Sequence, residues 1–548
     1  FTLANVTITA AADQTFGNFL KLTGPVTLSA NNFVLDRTAV NKVSGSVSLT
    51  LAGLSLFPSN PVISTSVTGL AVAYDFGQGV NSTGRMSLTM ASLSLTIGGV
   101  SQLNAFNLVL TPGSMLRQGS DDVSLSLTGN LTILDQVIEG GFAFERSNGI
   151  ITISAIITKI ELSAGGTRIV ELNGSGDFLV NSDGLAGMFT LNLVRGPAFA
   201  DVTIDGTYEL QVNTTQPNVV FGTNTIPGGP YLRIAVKSAT VSVFGNGITA
   251  DQFVMEKSGV GAAAVVKVVA SGVGLRLAAD TASLTVSGGS GAFLINSSGI
   301  AGRVDVSIAV LSGVPGVSLT ASALTIEVNS TGADVGPVAV TTSAGAVTIQ
   351  YAGASNQSFL RVSGTAGLDL DGFLKLTGSV AFERSTMTGG APVLKGAVSK
   401  LGGTLGAGIG TASETGVKVS DVEGAFLMLP AGLAFNASGS AALVGLGGVD
   451  LSGTVAVRAN TTAAPVNETI TTAAGPVSIV FTNGAPYQAV SGTLALNFAG
   501  FAKLTGAYSF EKSFDGLTTK VLVGATGVTA FMGEGTTGVS VANGRLGM

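Results

Sequence analysis

Cysteine, histidine and tryptophan are absent from all 548 residues of this chain. Without cysteine there is no disulfide framework, no thiol nucleophile and no thiolate zinc site; without histidine there is no imidazole base and no Ser-His-Asp relay. Charge is scarce as well, at 11% of residues, less than half of the roughly 25% of an average soluble protein. The 26 basic and 32 acidic side chains leave a net charge of −6 and form no basic cluster, which excludes nucleic acid as a natural partner. Mean hydropathy is +0.53, yet no uninterrupted apolar run reaches the roughly 18 residues of a spanning helix. A transmembrane β-barrel would share the alternating pattern but carry aromatic girdles, and six Tyr with no Trp do not supply them. Lack of cysteine leans towards an extracellular location without fixing it. The chain opens on Phe1 with no basic-then-apolar leader, so the expectation is a processed protein or a piece of a longer one.

Glycine, by contrast, reaches 77 residues, and β-formers fill the stretches between. Period-2 alternation marks strands half-buried on one face. Val123, Leu125, Leu127, Leu131 and Ile133 alternate with Ser124, Ser126, Thr128, Asn130 and Thr132. Ser and Thr thus stand where a soluble sheet usually carries Lys and Glu. Helical spacing with caps does not recur. Asn148-Gly149, Gly165-Gly166 and Asp183-Gly184 separate β-like runs, and these pairs favour tight hairpins, so consecutive strands should be antiparallel neighbours. At Leu51-Ala52-Gly53, Met90-Ala91-Ser92, Asp371-Gly372 and Ala499-Gly500 the alternation slips by one residue. The small residues there predict bulges, corners or kinks within long strands.

The chain also repeats itself. VSGTAGLDLDGFLKLTGSVAFERS from Val362 returns as VSGTLALNFAGFAKLTGAYSFEKS from Val490. GSGDFLVNSDGLAG from Gly174 returns as GSGAFLINSSGIAG from Gly289 and VEGAFLMLPAGLAF from Val422, and VNTT at Val212 as VNST at Val328 and ANTT at Ala459. The motifs keep one order, which defines a tandem array: a partial repeat 1–38, repeats 39–147, 148–258, 259–385 and 386–513, and a partial repeat 514–548. These motifs resemble the repeats of giant bacterial surface or secreted proteins. The resemblance implies an exported, extended, fibrous or adhesin-like protein. Many such proteins carry calcium-binding nonapeptides, but Gly288-Gly289-Ser290-Gly291-Ala292 lacks the Asp that should follow, and no calcium site is carried over.

Few residues suggest chemistry. Asp369 and Asp371 share a strand face before Gly372, a loose echo of a calcium loop, although calcium wants six to eight oxygens. The next copy has Asn497 and Ala499 there, so the pair reads either as a weak calcium site or as a solvated strand edge; Asp121-Asp122 reads likewise. By parity Lys375 and Glu383 lie outward, opposite Leu376, Val380 and Phe382, as structural ladders or ion pairs between copies. Eleven Asn-X-Ser/Thr sequons occur. Asn213, Asn329 and Asn460, at matched repeat positions, are the glycosylation candidates if the chain meets a glycosylating pathway, and otherwise polar loop residues. Gly402-Gly403 and Gly447-Gly448 lack the Lys-Ser/Thr of a phosphate loop.

The expectation is therefore an all-β, elongated tandem-repeat array of mostly antiparallel strands, with a β-solenoid as the alternative topology. It carries no cofactor and no catalytic residues. The leading functional expectation is a structural, non-enzymatic segment of an extracellular fibre, filament or cell-surface protein, partnered by copies of itself end to end or laterally. An adhesin stalk presenting a distal binding domain and a lipid-carrying β-groove are the alternatives.

Overall fold

The computed structural model describes residues 2–16, 20–36, 42–56, 58, 63–68, 71–75, 85–89, 92–97, 101–109, 123–134, 136–147, 150–181, 184–199, 201–258, 265–370, 374–387, 390, 392–407, 412–445, 447–472, 475–514 and 519–547. The protein is nearly all β, with a long antiparallel sheet. One three-residue 3₁₀ turn, Ala354–Asn356, is the sole helical element among the described residues. No helix there is long and apolar enough to cross a membrane.

The chain divides into two compact units. The first comprises Phe1–Ala239, Gln252–Lys267 and Ile295–Ser297. Within it, Val123–Ile133, Gln136–Ser147, Ile150–Ala164, Thr167–Asn181, Gly184–Arg195 and Val202–Asn213 pair each with the next. A separate sheet joins Thr2–Ala10, Leu20–Asp36, Lys42–Leu56, Ala71–Asp75 and Arg85–Thr89. The second unit comprises Thr240–Asp251, Val268–Leu294 and Ser298–Met548. There the ladder runs through Val317–Asn329, Phe359–Leu370, Leu374–Thr386, Pro392–Ala407, Thr415–Leu429, Gly432–Val444, Val449–Asn460, Tyr487–Phe498, Ala502–Phe514, Thr519–Glu534 and Thr537–Gly547. All of these registers are antiparallel. The solenoid alternative needs parallel coils and gives way to a hairpin meander.

Alternation explains the core. Phe142, Phe144, Ile153, Phe178 and Phe189 face inward in the first unit and Leu376, Val380, Phe382, Phe426 and Phe435 in the second, all buried. Ring pairs Phe178–Phe189 and Phe382–Phe426 meet edge-on, with centroids 4.6 and 5.1 Å apart. On the outer row opposite Leu376 and Phe382, Lys375 is exposed as parity predicts.

The slips have two outcomes. Leu51 and Leu54 are both buried, and a register shift in the partner strand between Thr23 and Val26 absorbs the odd spacing. This is a bulge. Ala499-Gly500 is instead a hairpin turn between Phe498 and Ala502, with φ of 48° and 78°, and so not a kink inside a strand. Gly165-Gly166 turns its hairpin with φ of 56° and 80°, a region where glycine carries no Cβ penalty. Asn148-Gly149, Asp183, Met90-Ala91 and Asp371-Gly372 lie outside the described residues.

Phe426 is wholly buried against Phe382. Phe426→Ala should lower stability by about 3–5 kcal/mol, read as an earlier urea midpoint by circular dichroism.

Candidate functional site: a buried asparagine corner and its arm

Among the described residues, the chain three times leaves the sheet at the end of a strand, makes a two-stranded hairpin arm, and returns. The arms are Val219–Phe221 with Asn224–Ile226, Val335–Thr342 with Gly345–Tyr351, and Val466–Thr472 with Gly475–Phe481. Each departure is made by the recurring Asn-(Ser/Thr)-Thr tripeptide. A strand that leaves its sheet strands backbone carbonyls that must find other donors. The asparagine supplies them: Asn213 Nδ2 donates to the carbonyls of Pro217 and Pro227 at 3.0 and 2.8 Å. Asn329 Nδ2 donates to Ala333 and Asn356 at 2.9 and 2.8 Å, and Asn460 Nδ2 to Ala464 at 3.1 Å. In the first two corners one amide thus holds the start and the end of the arm excursion together.

The rest of the tripeptide completes the corner. Asn213 Oδ1 accepts from the backbone N–H and the hydroxyl of Thr215 at 2.8 and 2.7 Å. Thr331 and Thr462 repeat both bonds to Asn329 and Asn460. The middle residue ties the corner to the neighbouring strand. The backbone N–H of Leu185 donates to Thr214 Oγ1 at 3.0 Å, that of Ile300 to Ser330 Oγ at 2.9 Å and that of Leu433 to Thr461 Oγ1 at 2.9 Å. Just before these contacts stand Gly184, Gly299 and Gly432. A Cβ on Gly184 would lie 2.4 Å from Thr214 Oγ1 and one on Gly432 2.4 Å from the Thr461 carbonyl oxygen. Their φ values of 148° and 150° also favour glycine.

Two tyrosines brace the same region. The Tyr208 hydroxyl donates to the Ile204 carbonyl at 3.0 Å, and the Tyr351 hydroxyl, at the end of the middle arm, to the Gly302 carbonyl. Burial pushes both hydroxyls well above the ordinary tyrosine value of 10.0. Beside the middle corner Glu327, 12% exposed, takes Arg303 Nη1 at 3.2 Å and Arg361 Nε at 2.9 Å. The Arg361 guanidinium also lies 4.3 Å from the centre of the Phe359 ring. At the equivalent place Arg458 covers the Phe481 ring at 4.8 Å and donates to the Val480 carbonyl. The charges here seat arms on the sheet.

Asn213, Asn329 and Asn460 are each 0% exposed. These three candidate acceptors lie inside the folded chain, where the amide nitrogen is spent on backbone carbonyls. Asp369 lies 3.4 Å from Lys375 Nζ, so an ammonium stands beside the carboxylate that was to hold a cation. Asp371, Asp121 and Asp122 lie outside the described residues. No cluster of three or more metal-ligating side chains occurs among the described residues.

Comparison of the chain with protein-family models, with curated proteins and with solved structures finds no match. The site is therefore read on its own geometry. Sequence reasoning missed that the Gly-(Leu/Ile)-Ala and Asn-X-Thr motifs form one corner. Their separation, 29, 30 and 28 residues between bonded partners, was the available signal. The same tetrapeptide also stands at Val80-Asn81-Ser82-Thr83, outside the described residues.

Asn329→Ala removes an acceptor and two donors from a dry corner, and should lower stability by about 2–4 kcal/mol. Asn329→Asp keeps the acceptor but points a carboxylate at two carbonyls, so it should be no milder; urea unfolding of both variants checks this. The tyrosines give a pH dependence. Their folded-state values are raised, so their contribution is intact below the unfolded value and falls away as pH climbs past about 10. Tyr208→Phe with Tyr351→Phe should flatten that alkaline loss, measured as denaturation midpoint against pH.

Proposed function

We propose that this chain is a structural, non-enzymatic repeat segment of an extracellular fibre, filament or cell-surface protein. The observation that carries the reading is the recurring corner: the same asparagine bonds rebuild the same strand–arm–strand unit at successive places along the chain. Residues that recur with such fidelity serve geometry, and neither the corner nor its arm presents a nucleophile with a base beside it. Repetition suits a load-bearing element, since each unit is stabilised by its neighbours and length adds no new topology.

The outer rows of Ser, Thr, Ala and Gly favour contacts between copies that owe little to charge. Exposed apolar side chains such as Val539 and Val541, at 71% and 55% exposure, add to that surface. The lipid-carrier alternative gains nothing here, because Phe142, Phe178, Phe382 and Phe426 fill the inward rows.

Purified chain should form threads or lateral bundles in negative-stain images at about 0.1 M salt, and keep them at about 1 M, where surface charge is screened within roughly 3 Å. Monodisperse particles at every concentration, or bundles that disperse as salt is raised, would contradict the proposal.

A further inference from the structure

The three arms differ in what they cover. The last arm turns Val466, Ile470, Ile479 and Phe481 onto Val393, Ala425, Leu427 and Ala434 of the sheet, all eight residues being buried. The middle arm buries Val335, Val340, Ile349 and Tyr351, and Ala292, Leu294 and Ala301 of its repeat are buried too. The first arm has strands of only three residues. It reaches Met188, where Asn224 Nδ2 lies 3.6 Å from the sulfur.

Register fixes which positions correspond. Ser147 faces Ile150 as Ser385 faces Val393, and Leu179 faces Ala186 as Leu427 faces Ala434. Ile150 is 59% exposed where Val393 is 1% exposed. Leu179 is half-buried where Leu427 is covered, and Asp177 is exposed where Ala292 and Ala425 are fully buried. Ile156, on the outer row of the same strand as Ile150, is 70% exposed. Beside Ile156 and Asp177 lies a cleft of about 410 Å³, lined also by Gly141, Ala143 and Ser154. One repeat therefore keeps the face on which the other two seat an arm, but its own arm, with strands of only three residues, leaves Ile150 and Asp177 exposed.

The exposed carboxylate selects the occupant. Asp177 Oδ1 accepts from Ser154 Oγ at 2.6 Å, and Glu145 is exposed on the same face, across from Thr152. The chain's own arms are ill matched to this charge. Their central inward position, opposite Ile479 or Ile349, is Glu468 in one and Val338 in the other.

We propose that this face, on the strands Gln136–Ser147, Ile150–Ala164 and Thr167–Asn181, docks an extended segment of a partner protein other than this chain. The segment carries β-branched or aromatic side chains on either side of one Lys or Arg, which meets Asp177. The apolar groups cover Ile150, Ile156 and Leu179 as Ile470 and Ile479 cover Val393 and Leu427 in the last repeat. Opposite charge across the contact supplies selectivity against the chain's own arms. This goes beyond the structural role proposed above and does not depend on it, because one docked segment per chain is measurable whether or not the chain assembles.

The probe is the last arm itself, residues 464–485, made as a backbone-cyclised peptide because an isolated hairpin is marginal. It is used in parent form and as Glu468→Lys. Titrated against the full chain by calorimetry, the Lys peptide should bind at least about ten-fold more tightly than the parent at low salt. Asp177→Asn in the chain should erase that advantage, and Ile156→Lys should weaken both peptides about ten-fold or more. Both substitutions fall on exposed side chains and should leave the circular dichroism spectrum unchanged. The proposal is overturned if neither peptide binds, if Asp177→Asn or Ile156→Lys leaves affinity unchanged, or if the parent binds as tightly as the Lys form. That last result would assign the face to the arm of a second copy.

Discussion

The side-chain amide of a buried asparagine decides where this chain can leave its sheet. A strand inside a ladder has every backbone group paired; a strand that departs leaves groups that must find other partners, and one left unpaired in a buried place costs about 1–3 kcal/mol. Asn213 and Asn329 each satisfy two such carbonyls, one at either end of the excursion. Threonine two residues on satisfies the amide oxygen, and the residue between them pins the neighbouring strand. The corner is thus closed by amide, hydroxyl and backbone groups of the chain itself. That explains why a chain so poor in ionisable groups can still contain irregular backbone at a buried place.

Once the corner is fixed, the arms follow. An arm anchored at both ends lies back on the sheet that produced it, and its alternating Val, Ile and aromatic residues bury the outer row beneath. Outer rows that read as solvent-facing are therefore partly interior. Val393 and Leu427 are covered in this way, while Ile150 and Leu179, at the same register, are not. A difference of a few residues in arm length changes a sealed face into an open one without altering the ladder. Repeats of one fold can in this manner carry different surfaces.

Much of the ladder was legible in the sequence. Period-2 alternation identified Val123–Ile133 as a strand, in which Leu131 and Ile133 are buried, and the Gly-Gly pair at 165–166 marked a hairpin that the structure contains. The odd spacing of Leu51 and Leu54 signalled a real bulge. Less could be read where partners are distant in sequence. Ala499-Gly500 looks like Ala52-Gly53 in composition, but one is a turn and the other sits within a paired strand; only the cross-strand register separates them. The sequons stayed open for the same reason. Asn-X-Thr describes an exposed acceptor and a buried corner equally well, and what distinguishes them is a contact with Leu185, Ile300 or Leu433 some thirty residues earlier. The arms' coverage of the outer row was invisible to local pattern, since alternation reports which face is apolar and not what lies above it.

The central claim is that the three asparagine amides are closed, load-carrying bonds of the folded chain. Selective ¹⁵N labelling of asparagine with hydrogen exchange on the side-chain amides tests it directly. The account predicts that the amides of Asn213, Asn329 and Asn460 exchange slowly, in step with the backbone amides of the flanking strands. Exchange of all three at the rate of an exposed asparagine such as Asn467 would contradict it.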